Sequence, residues 1–316
     1  MDMNQIKVGC VVLNYINYSE TERCLISLMQ QEDIQLTVVV VDNGSQNGSL
    51  ECIQRDLRLR NSKTEEGRVN FIQINKNIGF AGGMNCGIKF LREKGIQFIF
   101  IANSDLVFTA TNILAKLVEG YEVGVAVLNP YIVNVDGKVA RPIYFKKKQM
   151  GLRMIKSFVL CRYNKRKNVI RKKDCLRQKP AEIVMNMGRD RDCFRICGMG
   201  YLLTPDFWMH YQYLYPETFL YNEEYALMIY LLRGRLDSKS VSTEPVIHKH
   251  GASTFRSKER TNCFAPWNSK DGKSRGSILK LIPLSERQIR SRYSYPFLRM
   301  FWDNKITINE IAWKEK

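Results

Sequence analysis

Three predicted strands end in polar side chains of the kinds that bind ligands. The run KVGCVVLN ends at Asn14, LTVVVVDNGS passes through Asp42, and FIFIANSD ends in Asn103, Ser104 and Asp105. Carboxylates and amides accept hydrogen bonds from hydroxyl and imide groups, and carboxylates also bind Mg²⁺ or Mn²⁺. A single Asp or Asn at a strand end is typical of a turn, so the chemical interpretation depends on three such ends meeting at one edge.

The elements that must position these residues alternate between strand and helix. Apolar, β-branched runs predict strands over residues 7–13, 36–41 and 69–74, and each is followed by a segment with helical spacing. Ser19 or Thr21 is placed to cap the first helix, and the third helix is predicted to begin at about Met84. This order predicts an α/β fold with a mostly parallel sheet flanked by helices, in which ligands bind beyond the carboxyl ends of the strands.

Seven segments, taken in order, carry a resemblance to a known family. They are VVLNYINYSETERCLISL, VVVVDNGSQNGS, NKNIGFAGGMNCGIKF, FIANSDLVF, CGMGYLLTPDFW, FLYNEEYAL and VIHKHGAS. Together they resemble family 2 glycosyltransferases with the GT-A fold, a Rossmann-like architecture, and in particular the rhamnosyltransferase-like branch that builds bacterial surface polysaccharides. The resemblance covers approximately residues 6–136 and 193–254.

The resemblance implies a site for a nucleotide-sugar donor, such as a dTDP-, UDP- or GDP-sugar. It places the base and ribose near the end of the first strand, lets the glycine-rich loop approach the nucleotide through its backbone, and puts a polar residue near the following helix start. The residues that it assigns to donor binding are Leu13, Asn14, Tyr15, Asp42, Gly79, Gly82, Gly83, Asn85, Asn103 and Ser104.

The same resemblance implies metal-assisted, inverting sugar transfer. Asp105 and His248 would hold Mg²⁺ or Mn²⁺ near the donor diphosphate, and His250, two residues later, is an alternative to His248. The family uses a Glu-Asp pair as general base on the acceptor side, and here the pair reads Glu223 and Glu224. Glu224 is predicted to be the base and Glu223 its supporting partner, with the reverse order left open. The implied acceptor is a hydroxyl group of a glycan or polyprenyl-linked oligosaccharide.

The predicted organisation has four parts. Residues 1–136 form the nucleotide-sugar-binding half, 137–192 a basic helical insertion, 193–254 the acceptor and catalytic half, and 255–316 a C-terminal extension. Between positions 138 and 195 there are 19 Lys or Arg residues but only 4 Asp or Glu, so most of the net charge of +18 lies there. Such a segment requires an anionic partner or is a solvated insertion.

Part of this basic insertion has the pattern of a helix that lies on an anionic membrane. Its predicted apolar face comprises Met154, Ile155, Phe158 and Val159, and Lys146 to Lys148 precede it. The alternative is that the apolar stripe packs on the sheet domain while the charges face solvent. No apolar run approaches the roughly 18 residues of a membrane span, and the N-terminus lacks the pattern of a secretory signal. We therefore expect a cytoplasmic protein, peripheral on the inner face of the cell membrane.

Other functional classes fit the sequence less well. Nine cysteines without a CxxC pair favour free thiols, and Cys193 and Cys197 in CFRIC come nearest to zinc-ligand spacing. A nucleotidyltransferase would carry a glycine-rich loop with a basic residue after the first strand, where this chain reads NYINYSE. A nucleic-acid-binding protein would account for the basic charge, but no helix-turn-helix, zinc-finger or RNP signature is present, so nucleic acid is not an expected partner.

Overall fold

The first four strands alternate with helices and form the parallel part of the central sheet. The computed structural model describes residues 6–60, 68–140, 142–150, 155, 187–249, 270–294 and 307–311. The strands are β1 (Lys7–Asn14), β2 (Gln35–Asn43), β3 (Val69–Ile74) and β4 (Phe98–Asn103), and the helices between them are α1 (Tyr18–Met29), α2 (Ser49–Arg60) and α3 (Phe80–Glu93). β1 pairs in parallel with both β2 and β4, and β2 pairs in parallel with β3. The α/β architecture predicted from the sequence is confirmed.

The second half of the chain extends the same sheet. Its elements are β5 (Leu106–Phe108), α4 (Ile113–Glu119), β6 (Val125–Asn129), β7 (Ile132–Asn134), β8 (Ile143–Lys146), β9 (Gly188–Arg189), β10 (Cys193–Ile196), β11 (Gly200–Leu203), α5 (Pro205–His210), α6 (Glu223–Gly234), β12 (Asp237–Ser240) and β13 (Val246–His248). With β14 (Ile308–Ile311) at one edge, the described strands of the main sheet have the order β14-β3-β2-β1-β4-β11-β6-β12-β9. β11 lies between β4 and β6 and runs antiparallel to both. The two predicted halves therefore share one sheet.

Alternate residues of each central strand face two separate apolar cores. Val11 and Val39 contact the core formed with α3, α5 and α6, whereas Val12 and Val40 contact the core formed with α1, α2 and α4. Successive side chains of a strand point to opposite faces, so a strand covered by helices on both faces must be apolar throughout. This requirement explains the uninterrupted valine run in β2.

The part of the chain beyond residue 255 contributes to the core and to the sheet. α7 (Lys270–Leu281) and α8 (Glu286–Tyr293) bury Ile278, Leu281 and Ile289 completely. β14 (Ile308–Ile311) pairs antiparallel with β3 at the sheet edge. The described parts of this segment are therefore integral to the fold rather than an appendage.

Two small ladders complete the described structure. β13 lies between β5 and β7, antiparallel to the first and parallel to the second, and β8 pairs antiparallel with β10. The β8–β10 ladder joins the two ends of the predicted basic insertion. Of the residues predicted for its interfacial helix, Met154, Phe158 and Val159 lie outside the described residues, as does His250. None of the described helices has the length and apolar composition needed to cross a membrane.

Two local predictions about helix starts are wrong. α3 begins at Phe80, four residues before the predicted Met84, so Gly82 and Gly83 belong to its first turn. Neither Ser19 nor Thr21 caps α1, because that helix begins at Tyr18 after Asn17. The Thr21 hydroxyl instead lies 2.9 Å from Asn14 Oδ1, at the end of β1.

Candidate active site

The polar strand ends meet at one edge of the sheet. Asn14 pairs with Asp42 in the β1–β2 register, and Leu13 pairs with Asn103 in the β1–β4 register. Parallel strands in register bring their carboxyl ends together, so the side chains that follow them share one rim. The clustering predicted from the sequence is therefore present.

Asp42 lies in a buried hydrogen-bond network at this rim. The Asn14 amide Nδ2 donates to Asp42 Oδ1 at 2.7 Å, and the Ser45 backbone N–H donates to Asp42 Oδ2 at 3.2 Å. Burial raises the pKa of the Asp42 carboxyl, and the hydrogen bonds from Ser45 and Asn14 oppose that shift. Asp42 is only 1% exposed, so its contacts in this structure are with the protein itself.

The loop after β1 carries Tyr15 and an unusual backbone conformation. Ile16 has φ +54°, which a β-branched residue rarely adopts, and its backbone N–H donates to Ser45 Oγ at 2.8 Å. This hydrogen bond ties the β1 loop to the turn after β2. Leu13 and Tyr15 are both half-buried there, at the edge where the donor was predicted to bind.

Asn43 organises the glycine-rich loop, a role that was not predicted from the sequence. Its amide Nδ2 donates to the Gly79 carbonyl at 3.0 Å, and its Oδ1 accepts from the Ile78 backbone N–H at 3.0 Å. Gly79 has φ +86°, and a Cβ there would lie 2.6 Å from the Phe219 carbonyl oxygen. Gly79 therefore allows the loop to approach the FLYNEE segment closely. The only sequence signal for Asn43 was its place beside Asp42 in the DNG turn.

The remaining residues of the glycine-rich segment make packing contacts in this structure. A Cβ on Gly83 would lie 2.4 Å from Leu13 Cδ1, and one on Gly82 would lie 3.1 Å from Ile78 Cγ1. Asn85 is 1% exposed, and its amide donates to and accepts from the Leu214 backbone at 2.9 Å in each direction. Packing and hydrogen bonds within the protein therefore account for the residue types at Gly82, Gly83 and Asn85. The donor-binding roles predicted for these three residues stay predictions.

Asp105 and His248 come together across the small three-stranded ladder. His248 pairs with Leu106 in the β5–β13 register, and the Lys249 backbone N–H donates to the Asp105 carbonyl at 3.1 Å. These backbone contacts bring His248 Nε2 to 3.3 Å from Asp105 Oδ1. Both residues are nearly buried, at 8% exposed for Asp105 and 6% for His248. A pair separated by 143 positions in the sequence therefore forms one site.

The chemistry of this pair fits a divalent cation. Adjacent ligands in an octahedral shell with bonds of about 2.1 Å lie about 3 Å apart, close to the observed oxygen–nitrogen distance of 3.3 Å. A carboxylate oxygen and an imidazole nitrogen are both ligands that Mn²⁺ accepts. Within the described parts of the chain, no group of three His, Cys, Asp or Glu residues is arranged to hold a metal. Phosphate oxygens and water would be suitable further ligands for an ion bound by Asp105 and His248.

Asn103 and Ser104 lie just before Asp105. The Asn103 backbone N–H donates to the Met199 carbonyl at 3.0 Å, which connects β4 to the segment leading into β11. Asn103 is half-buried and Ser104 is 9% exposed. Their backbone is thus held at the rim, next to the candidate metal ligand.

The two glutamates begin α6 after a strained turn. Tyr221 has φ +68° and Asn222 has φ +71°, so two consecutive residues other than glycine adopt the left-handed conformation immediately before Glu223. A helix N-terminus carries partial positive charge, which favours carboxylates in its first turn. Burial raises the pKa of the Glu224 carboxyl, although the residue as a whole is only half-buried.

Gly198 makes room for the Glu224 side chain. A Cβ on Gly198 would lie 1.8 Å from Glu224 Oε1 and 2.6 Å from its carboxyl carbon. The next residue, Met199, accepts the hydrogen bond from Asn103, two positions before Asp105. The segment from Gly198 to Met199 therefore contacts both the candidate base and the strand that carries the candidate metal ligand. Gly198 lies in the CGMGYLL motif, but nothing in the sequence around it indicated this contact.

Comparisons with known proteins give one family and several distant structures. A profile of the family described as "Glycosyl transferase family 2" matches residues 10–194. No curated protein matches the chain. The match to the family profile extends over more than half of the chain, from β1 into β10. It includes Asp42 and Asp105 but ends before Glu224.

Among solved structures, three matches illustrate the level of likeness. The mannosyltransferase PcManGT from Pyrobaculum calidifontis, in complex with GDP-Man and Mn²⁺, is 12% identical over 94% of this chain and 79% of that one, with a TM-score of 0.48. S. aureus TarS 1-349 is 13% identical over 77% of this chain and 60% of that one, with a TM-score of 0.47. The same TarS fragment in complex with UDP is 13% identical over 94% of this chain and 72% of that one, with a TM-score of 0.48. The chain thus spans less than two thirds of the first TarS structure.

Proposed function

Because the chain belongs to glycosyl transferase family 2, we propose that it transfers one sugar from a nucleotide-diphosphate donor to a hydroxyl group of a glycan or lipid-linked oligosaccharide, with inversion at the anomeric carbon. The observation that carries the proposal is the contact between Asp105 and His248, at the sheet rim that also receives the Glu224 segment. Family membership favours this reaction over nucleotidyl transfer and over nucleic-acid binding. Rhamnose or another hexose is the proposed sugar.

Asp105 and His248 are the proposed ligands of Mg²⁺ or Mn²⁺. When bound, the ion offsets the negative charge that develops on the diphosphate leaving group. Asp105 Oδ1 and His248 Nε2 are held by the backbone contacts between β5 and β13, so the pair requires little rearrangement to bind. Asn103 and Ser104, on the same turn, are proposed to contact the donor.

Glu224 is the proposed general base. It would accept the proton of the acceptor hydroxyl as that oxygen attacks the anomeric carbon from the face opposite the diphosphate, which inverts the centre. A base works best when its pKa approaches the operating pH, and burial raises the pKa of Glu224 in that direction. Glu223 supports it from the same helix turn.

A thermal-shift panel with UDP-, dTDP- and GDP-sugars, each with and without Mn²⁺, tests the donor site. A ligand that binds only the native state raises the melting temperature, so one nucleotide class should do so in a Mn²⁺-dependent manner. That donor is then incubated with candidate acceptors, and the product is examined for its anomeric configuration. Retained configuration, or stabilisation that is equal in Asp105→Asn and the unmodified chain, would refute this assignment.

Peripheral attachment to the inner face of the membrane is part of the proposal. Of the three lysines before the predicted interfacial helix, Lys147 forms an ion pair with Asp237, whereas Lys146 and Lys148 are exposed. Lys146→Gln combined with Lys148→Gln should therefore lower retention on anionic vesicles without changing transfer to a soluble acceptor. Unchanged retention would contradict a membrane role for these two lysines.

A further inference from the structure

A cavity lies at the amino ends of the parallel strands, away from the candidate active site. α3 packs tightly on β1 near its own C-terminus, where a Cβ on Gly9 would lie 2.6 Å from Leu91 Cδ1. The helix ends at Glu93. Beside this end lies a cavity of about 390 Å³, lined by Lys7, Ile34, Gln35, Leu36, Thr37, Arg68, Lys94 and Ile96.

The lining of this cavity carries three positive charges and no carboxylate. The cations are Lys7, Arg68 and Lys94. Several other cations of the described chain are paired with acids, for example Lys89 with Glu93 at 2.5 Å. Within the described ranges, no acidic side chain forms an ion pair with any of the three lining cations; the Lys94 ammonium lies 4.7 Å from the centre of the Phe90 ring. Among the described residues, therefore, no ion pair offsets these three positive charges.

The combination of groups fits a phosphate-bearing ligand. An anion with several oxygens would interact favourably with all three cations. Guanidinium binds phosphate through two parallel hydrogen bonds, and ammonium groups bind it as point charges. Thr37 and Gln35 add neutral polar side chains to the lining, and Ile96 adds an apolar one.

The position of the cavity separates it from the donor site. Lys7 and Asn14 are the first and last residues of β1. Seven residue steps of about 3.3 Å place the two ends of this strand roughly 23 Å apart. A nucleotide held at the carboxyl rim would not contact the cavity. We propose that the cavity formed by Lys7, Arg68 and Lys94 is a second ligand site, which binds the phosphate group of a phospholipid headgroup or of a soluble phosphate compound.

Two triple variants with the same change of charge test this proposal on the full chain. The cavity variant combines Lys7→Gln, Arg68→Gln and Lys94→Gln. The control combines Lys138→Gln, Lys280→Gln and Arg287→Gln, which lie outside the cavity lining and are exposed. Isothermal titration calorimetry with inorganic pyrophosphate, with a chelator present to keep the metal site empty, measures the affinity for a soluble phosphate compound. Co-sedimentation with phosphatidylcholine vesicles, with and without phosphatidylglycerol, measures the affinity for a phospholipid headgroup.

We expect the cavity variant to lose at least tenfold in affinity for one of these two probes, while the control variant stays within twofold of the unmodified chain. A loss for pyrophosphate identifies a soluble phosphate ligand, and a loss for phosphatidylglycerol vesicles alone identifies a headgroup. Equal behaviour of the two triple variants with both probes, or no binding of either probe by the unmodified chain, overturns the proposal. Arg68→Gln alone provides the same test if the cavity variant does not fold, which circular dichroism would show.

Discussion

Gly198→Ala should displace the candidate catalytic base with little change to the rest of the rim. The added Cβ would lie 1.8 Å from Glu224 Oε1, and contacts under 3.0 Å are essentially never observed for a real Cβ. The carboxylate must therefore move by at least about 1.2 Å. Gly198 has no left-handed backbone conformation that would oppose alanine, so the effect should come from this contact alone.

The expected cost of this displacement is large for turnover and small for donor binding. A misplacement of about 1 Å in a catalytic group can lower a rate by roughly 100-fold. We therefore expect kcat to fall by about 100-fold while the KM for the donor changes less than about threefold, because Glu224 is proposed to act on the acceptor. The initial rate of nucleoside diphosphate release, measured over a range of donor concentrations at saturating acceptor, gives both constants.

A matched control and a compensating variant separate displacement from general damage. Gly276→Ala makes the same chemical change in α7, where a Cβ would meet nothing within 4 Å, and should leave kcat unchanged. Glu224→Asp shortens the side chain by one methylene, which withdraws the carboxylate from position 198. The double variant Gly198→Ala with Glu224→Asp should therefore melt at a higher temperature than Gly198→Ala alone, as a double-mutant cycle would detect.

Two results would refute this reasoning. A Gly198→Ala variant with kcat within about threefold of the unmodified chain would mean that the position of the Glu224 carboxylate is not critical for turnover. A double variant that is no more stable than Gly198→Ala would mean that the two side chains do not compete for the same space.

Three further predictions concern the residues assigned to the site. Glu224→Gln should raise the melting temperature more at about pH 8 than at about pH 4. Burial raises the folded-state pKa of the Glu224 carboxyl, so the stability contributed by the protonated acid is lost as the pH rises through that pKa. An equal gain in melting temperature at both pH values would contradict a raised pKa. Asp105→Asn and His248→Gln should each remove most of the Mn²⁺-dependent part of donor-induced stabilisation while leaving the Mn²⁺-independent part. If one of these variants kept the full Mn²⁺ effect, the residue replaced in it would not be a metal ligand. Asn85→Ala should lower the free energy of unfolding by about 2 to 4 kcal/mol in urea titrations, because it leaves two buried backbone groups of Leu214 without partners. A loss of donor affinity with unchanged stability would instead support the nucleotide contact predicted from the sequence.

The strand ends were predictable because their signal is local. An apolar run in which every residue is buried marks a strand covered on both faces, and the polar residue that interrupts it marks the point where the strand leaves the core. Asn14, Asp42 and Asn103 follow this rule and lie at one rim in the structure. Four of the seven segments that carry the family resemblance lie within residues 10–194, which the family profile matches.

Other features were hidden from the sequence because their partners are remote in the chain. The glycines of the NIGFAGGMNCG segment indicated a loop, yet Gly83 is inside α3 and packs against Leu13. The segment after residue 255 matched no diagnostic motif, yet Leu281 and Ile289 are fully buried in the core. In each case, a residue type with several possible uses acquired one use through a contact that only folding creates.

By itself, the sequence determined the alternation of strands and helices, the chemical types at the strand ends and the order of the motifs, because these depend on neighbours along the chain. Only the tertiary structure decided which of those groups meet. The β5–β13 ladder brings His248 to Asp105, and the missing side chain at Gly198 leaves space for Glu224. Distances of a few ångströms between groups far apart in sequence are set by the packing of whole elements, so no local pattern in the sequence encodes them.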